Sequence, residues 1–233
     1  MRWPFTPYGT TTLLLCLVVC GVLAVGLGAL VSPWAAGAAL LPALFALNFF
    51  RDPERKAEGG EDQLVSPADG TVTDVVTLID PALNVPSTRI GIFLNVFDVH
   101  VNRAPCAGRV SAVFRRVGGC HDARDPRAIE GNRAAAIVLA RVDGRSVAVR
   151  QITGKIARRI VCPVIIGQFV GRGQRYGMIR FGSRTELIVP QAELLRVIVD
   201  VGDRVRGGET LLAELKPAGA RPAASAPAAA ERA

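Results

Sequence analysis

The chain has 233 residues, half of them apolar, and carries a formal net charge of +8. This length suits one domain with an appendage. Basic and aromatic residues are not interleaved and no nucleic-acid-binding motif occurs, so the composition argues against a nucleic-acid partner. Because the basic residues other than Arg2 all follow a long apolar block, we expect an anionic membrane surface as a partner.

Residues 1–50 are predicted to form a membrane-associated helical hairpin. Apart from Arg2 this block carries no charge, and a helix that spans a bilayer needs roughly 20 apolar residues. We place two helices at 10–31 and 35–50, on either side of Ser32-Pro33-Trp34. The block is far longer than the apolar core of a cleaved signal peptide. Basic residues flank it at both ends, which predicts a protein of the cell membrane with the rest of the chain on the cytoplasmic side.

The remainder of the chain divides into a linker, a domain and a tail. Residues 51–63 are charged and contain two glycines, which is typical of a linker. Residues 64–216 are predicted to form a mainly β, antiparallel barrel- or sandwich-like domain, because short Val- and Ile-rich runs alternate there with turn residues. Residues 217–233 are rich in Ala and Pro and are predicted to be disordered. The predicted strands are 70–79, 89–96, 108–116, 134–142, 146–153, 160–166 and 194–199, with a helical turn or two at 155–159.

One internal repeat supports this architecture. The pattern Gly167-x-x-Val170-x-x-Gly173 recurs 35 residues later as Gly202-x-x-Val205-x-x-Gly208. A strand, a glycine turn and a return strand fit this pattern, which resembles the hairpins of lipoyl- and biotinyl-carrier domains. The modified lysine of those carriers has no counterpart here. The repeat therefore predicts a barrel-sandwich-like core and no carrier function.

The cysteines and histidines do not form a recognisable metal or disulfide framework. Five cysteines without regular spacing are predicted to be free thiols. The histidine of Gly118-Gly119-Cys120-His121-Asp122 is expected in an exposed loop. A zinc site is conceivable, but its spacing matches no familiar ligand pattern, so we predict no metal. Its ligands would be His100, Cys106, Cys120 and His121.

Three motifs point to an activity when they are taken together. Gly182-Ser183 ends an apolar stretch, and there the glycine lets the backbone bend while the serine hydroxyl can attack the preceding carbonyl carbon. Upstream lie Ser66-Pro67-Ala68-Asp69-Gly70 and the run from Phe97 to Pro105. Gly-Ser and Pro-x-Asp-Gly are each common turns when taken alone. In this order, over residues 49–215, the motifs resemble the phosphatidylserine decarboxylases in their short, prokaryotic form.

The resemblance implies a self-processing enzyme. Ser183 would cut the chain at Gly182-Ser183 into a β chain, 1–182, and an α chain, 183–233, and would itself become a pyruvoyl group. That ketone would form a Schiff base with phosphatidylserine and accept electrons as CO2 leaves, giving phosphatidylethanolamine. The β and α chains would remain together as a heterodimer, and a homodimer of these is left open. No pyridoxal phosphate is expected, since no phosphate-cradling loop accompanies the lysines.

The family motifs also assign roles to individual side chains. His100 is expected to move protons during the cut and the decarboxylation, with Asp69 orienting it and Asp98 assisting self-cleavage. Alternation along a predicted strand would place Asp98 and His100 on one face. Many members carry a second histidine where this chain has Arg103. Either His100 serves both steps, or Arg103 holds the carboxylate or phosphate of the substrate.

Two other readings compete with the decarboxylase. A membrane-anchored Ser/Lys-type peptidase would use Ser183 as nucleophile and Lys155 as base, and would stay one chain. A non-catalytic, membrane-tethered adaptor built on the glycine repeat would show no processing and would give His100 no role.

Overall fold

The structure is a computed structural model that describes residues 4–119, 121–155, 159–180 and 183–217. Cys120, Gly182 and nearly all of the predicted tail therefore lie outside the described residues. So does most of the predicted helical turn at 155–159.

The N-terminal block forms two helices, α1 (Thr10–Leu30) and α2 (Pro33–Phe49), as predicted. Ser32 separates them and caps α2, since its side chain accepts a hydrogen bond of 3.2 Å from the Ala35 amide. By length and composition α1 could cross a membrane, with 21 residues and a mean hydropathy of 2.8, whereas α2 has only 17 residues. At 1.5 Å per residue α2 is about 26 Å long, a little less than the roughly 30 Å of a bilayer core.

The rest of the described chain is mainly β, which confirms the predicted class. The ladders pair antiparallel strands and build one eight-stranded sheet, in the order β13-β2-β3-β11-β7-β6-β5-β9, and two three-stranded sheets, β1-β14-β12 and β4-β10-β8. The elements are β1 (Gln63–Val65), β2 (Gly70–Asp80), β3 (Val85–Leu94), β4 (Val101–Arg103), β5 (Gly108–Arg116), α3 (Pro126–Gly131), β6 (Ala134–Ala140), β7 (Ser146–Thr153), β8 (Arg159–Val161), β9 (Phe169–Val170), β10 (Arg175–Arg180), β11 (Ser183–Pro190), β12 (Leu194–Val197), β13 (Arg204–Val205) and β14 (Leu211–Leu215).

The strand that begins at Ser183 was not among the predicted strands, although it lies inside the large sheet. β11 pairs with β3 on one side and with β7 on the other, and all eight of its residues are buried. Its alternate residues Leu187 and Val189 join the main apolar core, whereas Arg184 and Glu186 point to the opposite face and pair with each other at 2.8 Å. Buried ion pairing explains how this charged sequence occupies a central position.

The glycine repeat has the predicted architectural role. The first glycine of each copy, Gly167 and Gly202, has a positive φ of 87° and 103°, and so do the last ones, Gly173 and Gly208, at 70° and 81°. A Cβ atom added to Gly208 would lie 3.7 Å from the Cα atom of Gly173. The two copies therefore meet at their last glycines.

A second repeat accompanies the first. Ser66-Pro-Ala-Asp-Gly-Thr-Val72 recurs 38 positions later as Ala104-Pro-Cys-Ala-Gly-Arg-Val110. The two segments exchange equivalent hydrogen bonds, from Val65 N to the Pro105 carbonyl at 3.0 Å and from Arg103 N to the Pro67 carbonyl at 2.9 Å. The two segments thus pair symmetrically, and Asp69 of one segment corresponds to Ala107 of the other.

Candidate active site

Ser183 begins β11 in the interior of the protein. It lies opposite Leu94 of β3 and Thr153 of β7, and it is fully buried. Its Oγ atom has no hydrogen-bond partner among the residues that the structure describes. A buried hydroxyl without a partner is costly for the fold, and such an exception in a protein core suggests a chemical role for Ser183.

His100 lies close to the chain that leads to Ser183. Its carbonyl accepts a hydrogen bond of 3.3 Å from the amide of Ile179, near the end of β10. The imidazole is fully buried beneath the last residue of α2, with 4.3 Å between the ring centroids of Phe49 and His100. The end of the apolar hairpin thus covers the predicted proton-transfer residue.

Burial keeps the His100 imidazole neutral. Desolvation lowers its pKa to about 4, and the nearby charge of Arg51 acts in the same direction, whereas Asp98 and Asp69 oppose the shift. The Nδ1 atom lies 2.9 Å from the carbonyl oxygen of Asp98. Since a carbonyl can only accept, Nδ1 carries the proton and Nε2 carries the lone pair. His100 is therefore in the form that a general base requires.

The prediction that Asp98 and His100 share a face of a strand is wrong. Residues 95–100 form a turn and irregular backbone after β3. The turn forms because the Asp98 carboxylate accepts a hydrogen bond of 2.8 Å from the Asn95 amide, an aspartate–backbone contact that favours turns over strands. Asp98 also accepts a bond of 2.6 Å from Arg204. It contacts the imidazole through its backbone carbonyl.

Asp69 lies at the turn that precedes β2 and is held by groups distant in sequence. Both of its oxygens accept hydrogen bonds from Arg55, and the Gly207 amide donates a further bond of 2.8 Å. Arg55 also donates to the Gly207 carbonyl at 2.7 Å. Asp69 is close enough to His100 for its charge to oppose the lowering of the imidazole pKa, though more weakly than Asp98 does. The sequence motif identified Asp69, but nothing in the spacing indicated Arg55.

Arg103 is buried and bonded to the segment that follows α2. Its guanidinium donates to the Asp52 carboxylate at 2.9 Å, to the Pro53 carbonyl at 2.8 Å and to the Gly173 carbonyl at 3.2 Å. Asp52 accepts another bond, of 2.5 Å, from Arg175. These contacts give Arg103 a structural function between the linker and the glycine repeat, and its substrate-binding role stays a prediction.

A buried network of hydrogen-bonded polar side chains, which was not predicted from the sequence, lies beside Ser183. The side-chain amide of Asn102 donates to the hydroxyl of Thr185 at 3.0 Å, and Gln151 donates to the Asn102 oxygen at 2.7 Å. Thr185 follows Ser183 by two positions and so shares its face of β11. Asn102 belongs to the Phe97–Pro105 motif, which was the one available signal.

The peptidase reading finds little support in this geometry. The hydroxyl of Ser183 is buried, whereas Lys155, the base of the peptidase reading, is exposed. A buried Ser183 hydroxyl that has no hydrogen bond to Lys155 does not form the nucleophile–base pair that a Ser/Lys peptidase requires. Among the described residues, no group of three or more His, Cys, Asp or Glu side chains could hold a metal ion; Cys120, a ligand of the conceivable zinc site, lies outside them.

Comparison with known proteins identifies the family. The family model described as phosphatidylserine decarboxylase matches residues 43–213. A phosphatidylserine decarboxylase proenzyme of Chlorobium chlorochromatii is 41% identical over 213 residues, covering 89% of this chain and 98% of the relative. The proteins of that name from Rhodopirellula baltica and Saccharopolyspora erythraea are 41% and 45% identical, over 90% and 72% of this chain and 88% and 72% of the relatives. The chain therefore belongs to the phosphatidylserine decarboxylase family, whose members are carboxy-lyases made as proenzymes.

Proposed function

We propose that this protein decarboxylates phosphatidylserine to phosphatidylethanolamine after cutting itself between Gly182 and Ser183. The observation that carries the proposal is the pairing of a buried, unpartnered Ser183 hydroxyl with a neutral buried histidine near the same stretch of chain. The relatives' names, which specify both the substrate and a proenzyme, support the proposal from outside the structure.

In the cut, the chain's own groups handle the protons. Nε2 of His100 takes the proton of the Ser183 hydroxyl as Oγ bonds to the carbonyl carbon of Gly182, and the released amine of Ser183 takes a proton as the peptide bond breaks. The peptide bond becomes an ester. Loss of the α-proton of Ser183 then expels the upstream carboxylate, and hydrolysis of the resulting dehydroalanine releases ammonia.

The surroundings of Ser183 suit the pyruvoyl group that this chemistry leaves. The group would supply an electron sink once joined to the amine of the substrate. It would be held at the first position of β11 by the neighbouring strands, next to Thr185 and Asn102, whose polar atoms line the same face. In this proposal His100 holds the proton that the substrate's α-carbon receives after CO2 has left, and Asp69 and Asp98 keep that part of the site in place.

The proposed organisation follows the predicted division of the chain. Residues 1–50 attach the protein to the cell membrane, 51–63 link them to a catalytic domain of residues 64–216 on the cytoplasmic side, and 217–233 form a tail. The apolar α1 and the basic residues after α2 support this arrangement. The contact between the rings of Phe49 and His100 supports a site that lies beneath the end of the hairpin.

Intact mass measurement of the purified protein, with Ser183→Ala as the control, tests the proposal. We expect two fragments that meet at Gly182–Ser183, the smaller one resistant to Edman degradation and lighter by one ammonia than residues 183–233. The mature protein should then release CO2 from phosphatidylserine. A single uncut chain, with no fragments just as in Ser183→Ala, would contradict the proposed self-cleavage. A protein that is cut but has no decarboxylase activity would contradict only the assignment of the substrate.

A further inference from the structure

Arg51 is the first charged residue after the apolar hairpin, and so it lies where a membrane surface would be. Its guanidinium is half-buried and donates two hydrogen bonds of 2.6 Å, to the carbonyls of Asn48 and Phe97. No carboxylate lies within ion-pairing distance of it in the part of the chain that the structure describes. Arg51 therefore holds a positive charge that no carboxylate of the described residues neutralises.

Neighbouring arginines differ in this respect. Arg55, Arg103 and Arg204 are bonded to Asp69, Asp52 and Asp98, respectively. Their charges are neutralised by carboxylates within the protein. Arg51 differs from these three because its partners are backbone carbonyls and because it directly follows the hairpin.

Two observations place Arg51 beside the proposed site, between His100 and the end of the hairpin. Its charge contributes to the lowered pKa of His100, so the guanidinium lies within electrostatic reach of the imidazole. It also holds the turn that carries Phe97, a side chain that is 65% exposed and meets Phe45 of α2 edge-on with 6.4 Å between ring centroids. An apolar surface continuous with the hairpin thus adjoins an uncompensated cation.

We infer that Arg51 binds the phosphodiester of the lipid substrate beside the proposed site. The inference rests on the proposed function, because it assigns a contact to that substrate. Phosphate oxygens match the planar donors of a guanidinium better than they match an ammonium group. An apolar rim of Phe45 and Phe97 beside a cation suits a ligand whose anionic headgroup joins two acyl chains. The phosphate would be held at the membrane surface while the serine part of the headgroup extends toward His100.

Arg180 is the competing candidate. It also lacks a carboxylate partner among the described residues, but it donates to the Tyr8 carbonyl at 2.7 Å and to the Thr12 hydroxyl at 3.0 Å. Its guanidinium is therefore directed toward the start of α1. These contacts favour Arg51 as the phosphate ligand.

Binding to the uncut Ser183→Ala chain tests the inference without any need for catalysis. The probe is monomeric dihexanoyl phosphatidylglycerol, which has the phosphodiester but no serine. Arg51→Gln should raise its Kd roughly 10- to 100-fold, the range expected for a lost charged hydrogen bond. Arg51→Lys should restore part of the affinity.

The matched control is Arg109→Gln. Arg109 also donates a hydrogen bond to a backbone carbonyl, that of Gly167. It lies on β5, three strands from β11 and so roughly 14 Å away. Equal Kd values for Arg51→Gln and Arg109→Gln would overturn the inference.

A second measurement needs no change at position 51 and so does not depend on whether a variant folds. Phenylglyoxal modifies accessible arginines, and peptide mass mapping reports the rate at each one. Saturating probe should slow modification of Arg51 several-fold and leave Arg109 unchanged, with inorganic phosphate giving weaker protection. Protection of Arg180 in place of Arg51 would transfer the role to Arg180, and equal protection by free phosphate would remove the lipid from the assignment.

Steady-state kinetics distinguish a failure of the proposed role of Arg51 from a failure of the proposed function. In the mature protein Arg51→Gln should raise KM for phosphatidylserine roughly 10- to 100-fold and change kcat by less than about threefold. An unchanged KM would contradict the role of Arg51 and leave the proposed function intact. A wild-type protein without decarboxylase activity would contradict the proposed function, while the binding and protection results would still decide the role of Arg51.

Discussion

His100 combines full burial with a fixed position of its proton. The Asp98 carbonyl requires the proton on Nδ1, which leaves the lone pair on Nε2. Burial lowers the pKa to about 4, well below the ordinary value of 6.5. The charged form is disfavoured, so the imidazole stays neutral until the pH falls near that value. A neutral imidazole at cellular pH accepts a proton without first having to lose one.

This pKa predicts the pH dependence of self-cleavage. The rate should be constant from pH 8 to about pH 5 and should fall to half its plateau near pH 4, because protonation of His100 then removes the base. The measurement is the time course of the cut in chain made by cell-free synthesis and transferred to buffers of graded pH. An exposed histidine would instead give half the rate near pH 6.5.

His100→Gln supplies the control for that experiment. Glutamine can retain a hydrogen bond to the Asp98 carbonyl, but it cannot act as a base. We expect cleavage to slow by roughly 100- to 10,000-fold and to lose the inflection near pH 4. Cleavage at the wild-type rate in this variant would assign the base to another group.

Sequence could identify His100 and Asp98 because both belong to one short motif. It could not identify Arg55 as the partner of Asp69, since 14 positions and an irregular segment separate them. Nor could it show that Asp98 contacts His100 through its backbone. Contacts of this kind depend on how loops pack, and no periodicity in the sequence records them.

Among the elements, the segment after α2 connects the hairpin to the β domain. Asp52 is almost completely buried and accepts hydrogen bonds from Arg103, on β4, and from Arg175, on β10. Arg55 of the same segment binds Asp69. What reads in sequence as a charged linker is therefore bonded to three parts of the domain, including its predicted catalytic aspartate.

Removal of the Asp52 charge should destabilise the protein strongly. Asp52→Asn leaves the buried Arg103 guanidinium without compensation, which costs about 3–5 kcal/mol and lowers the midpoint of thermal unfolding by roughly 6–20 °C. The measurement is the thermal midpoint of the detergent-solubilised chain in the Ser183→Ala background. Glu209→Gln, which affects an exposed pair with Arg206, should change the midpoint by a degree or two at most. Equal shifts in the two variants would argue against an energetic role for this segment.

Two glycines with positive φ allow the cost of backbone strain to be distinguished from the cost of a steric clash. Gly70, at the start of β2, has φ of 150°, and a Cβ atom there would lie 2.1 Å from the backbone oxygen of Phe93. Gly202 has φ of 103° but has no atom within 4 Å of such a Cβ. Gly202→Ala should cost about 1–2 kcal/mol of stability from strain alone, and Gly70→Ala should cost at least twice as much. Thermal midpoints in the same background measure both, and equal losses would contradict the steric argument.

Among the helices and strands, those with a regular apolar pattern could be predicted from the sequence. Those that depend on contacts with distant residues were missed. The hairpin, β2, β5, β6 and β7 were close to their observed bounds because apolar content and turn residues mark them. β11 was missed because Arg184 and Glu186 interrupt its apolar pattern. Their ion pairs, with each other and with Asp74, Arg89 and Arg150, allow the strand to be buried. The predicted strand at 160–166 is reduced to β8, since the chain leaves the sheet after Val161 and turns at residues 166–167.

Across the whole molecule, the proposed cut separates two chains that share every sheet except one. The α chain would contribute β11 to the interior of the eight-stranded sheet and β13 to its edge, and it would contribute β12 and β14 to the sheet that contains β1. Only the sheet of β4, β10 and β8 belongs entirely to the β chain. Each fragment therefore supplies strands that complete the sheets of the other.

This interleaving predicts that the cut fragments stay together until the fold is lost. β11 pairs with β3 from Ser183 to Pro190 and with β7 from Ser183 to Ile188, so release of the α chain breaks the large sheet in two. Size-exclusion chromatography in mild detergent should give one peak containing both fragments, and a urea titration should release the α chain in the same transition that abolishes the β-sheet circular dichroism. The uncut Ser183→Ala chain, measured in parallel, reports the unfolding of the sheet alone. Release of the α chain at a urea concentration where the sheet signal is still intact would mean that β11 is not held between β3 and β7 in the mature protein. The position of Ser183 in the uncut chain could then no longer describe the site that acts on substrate.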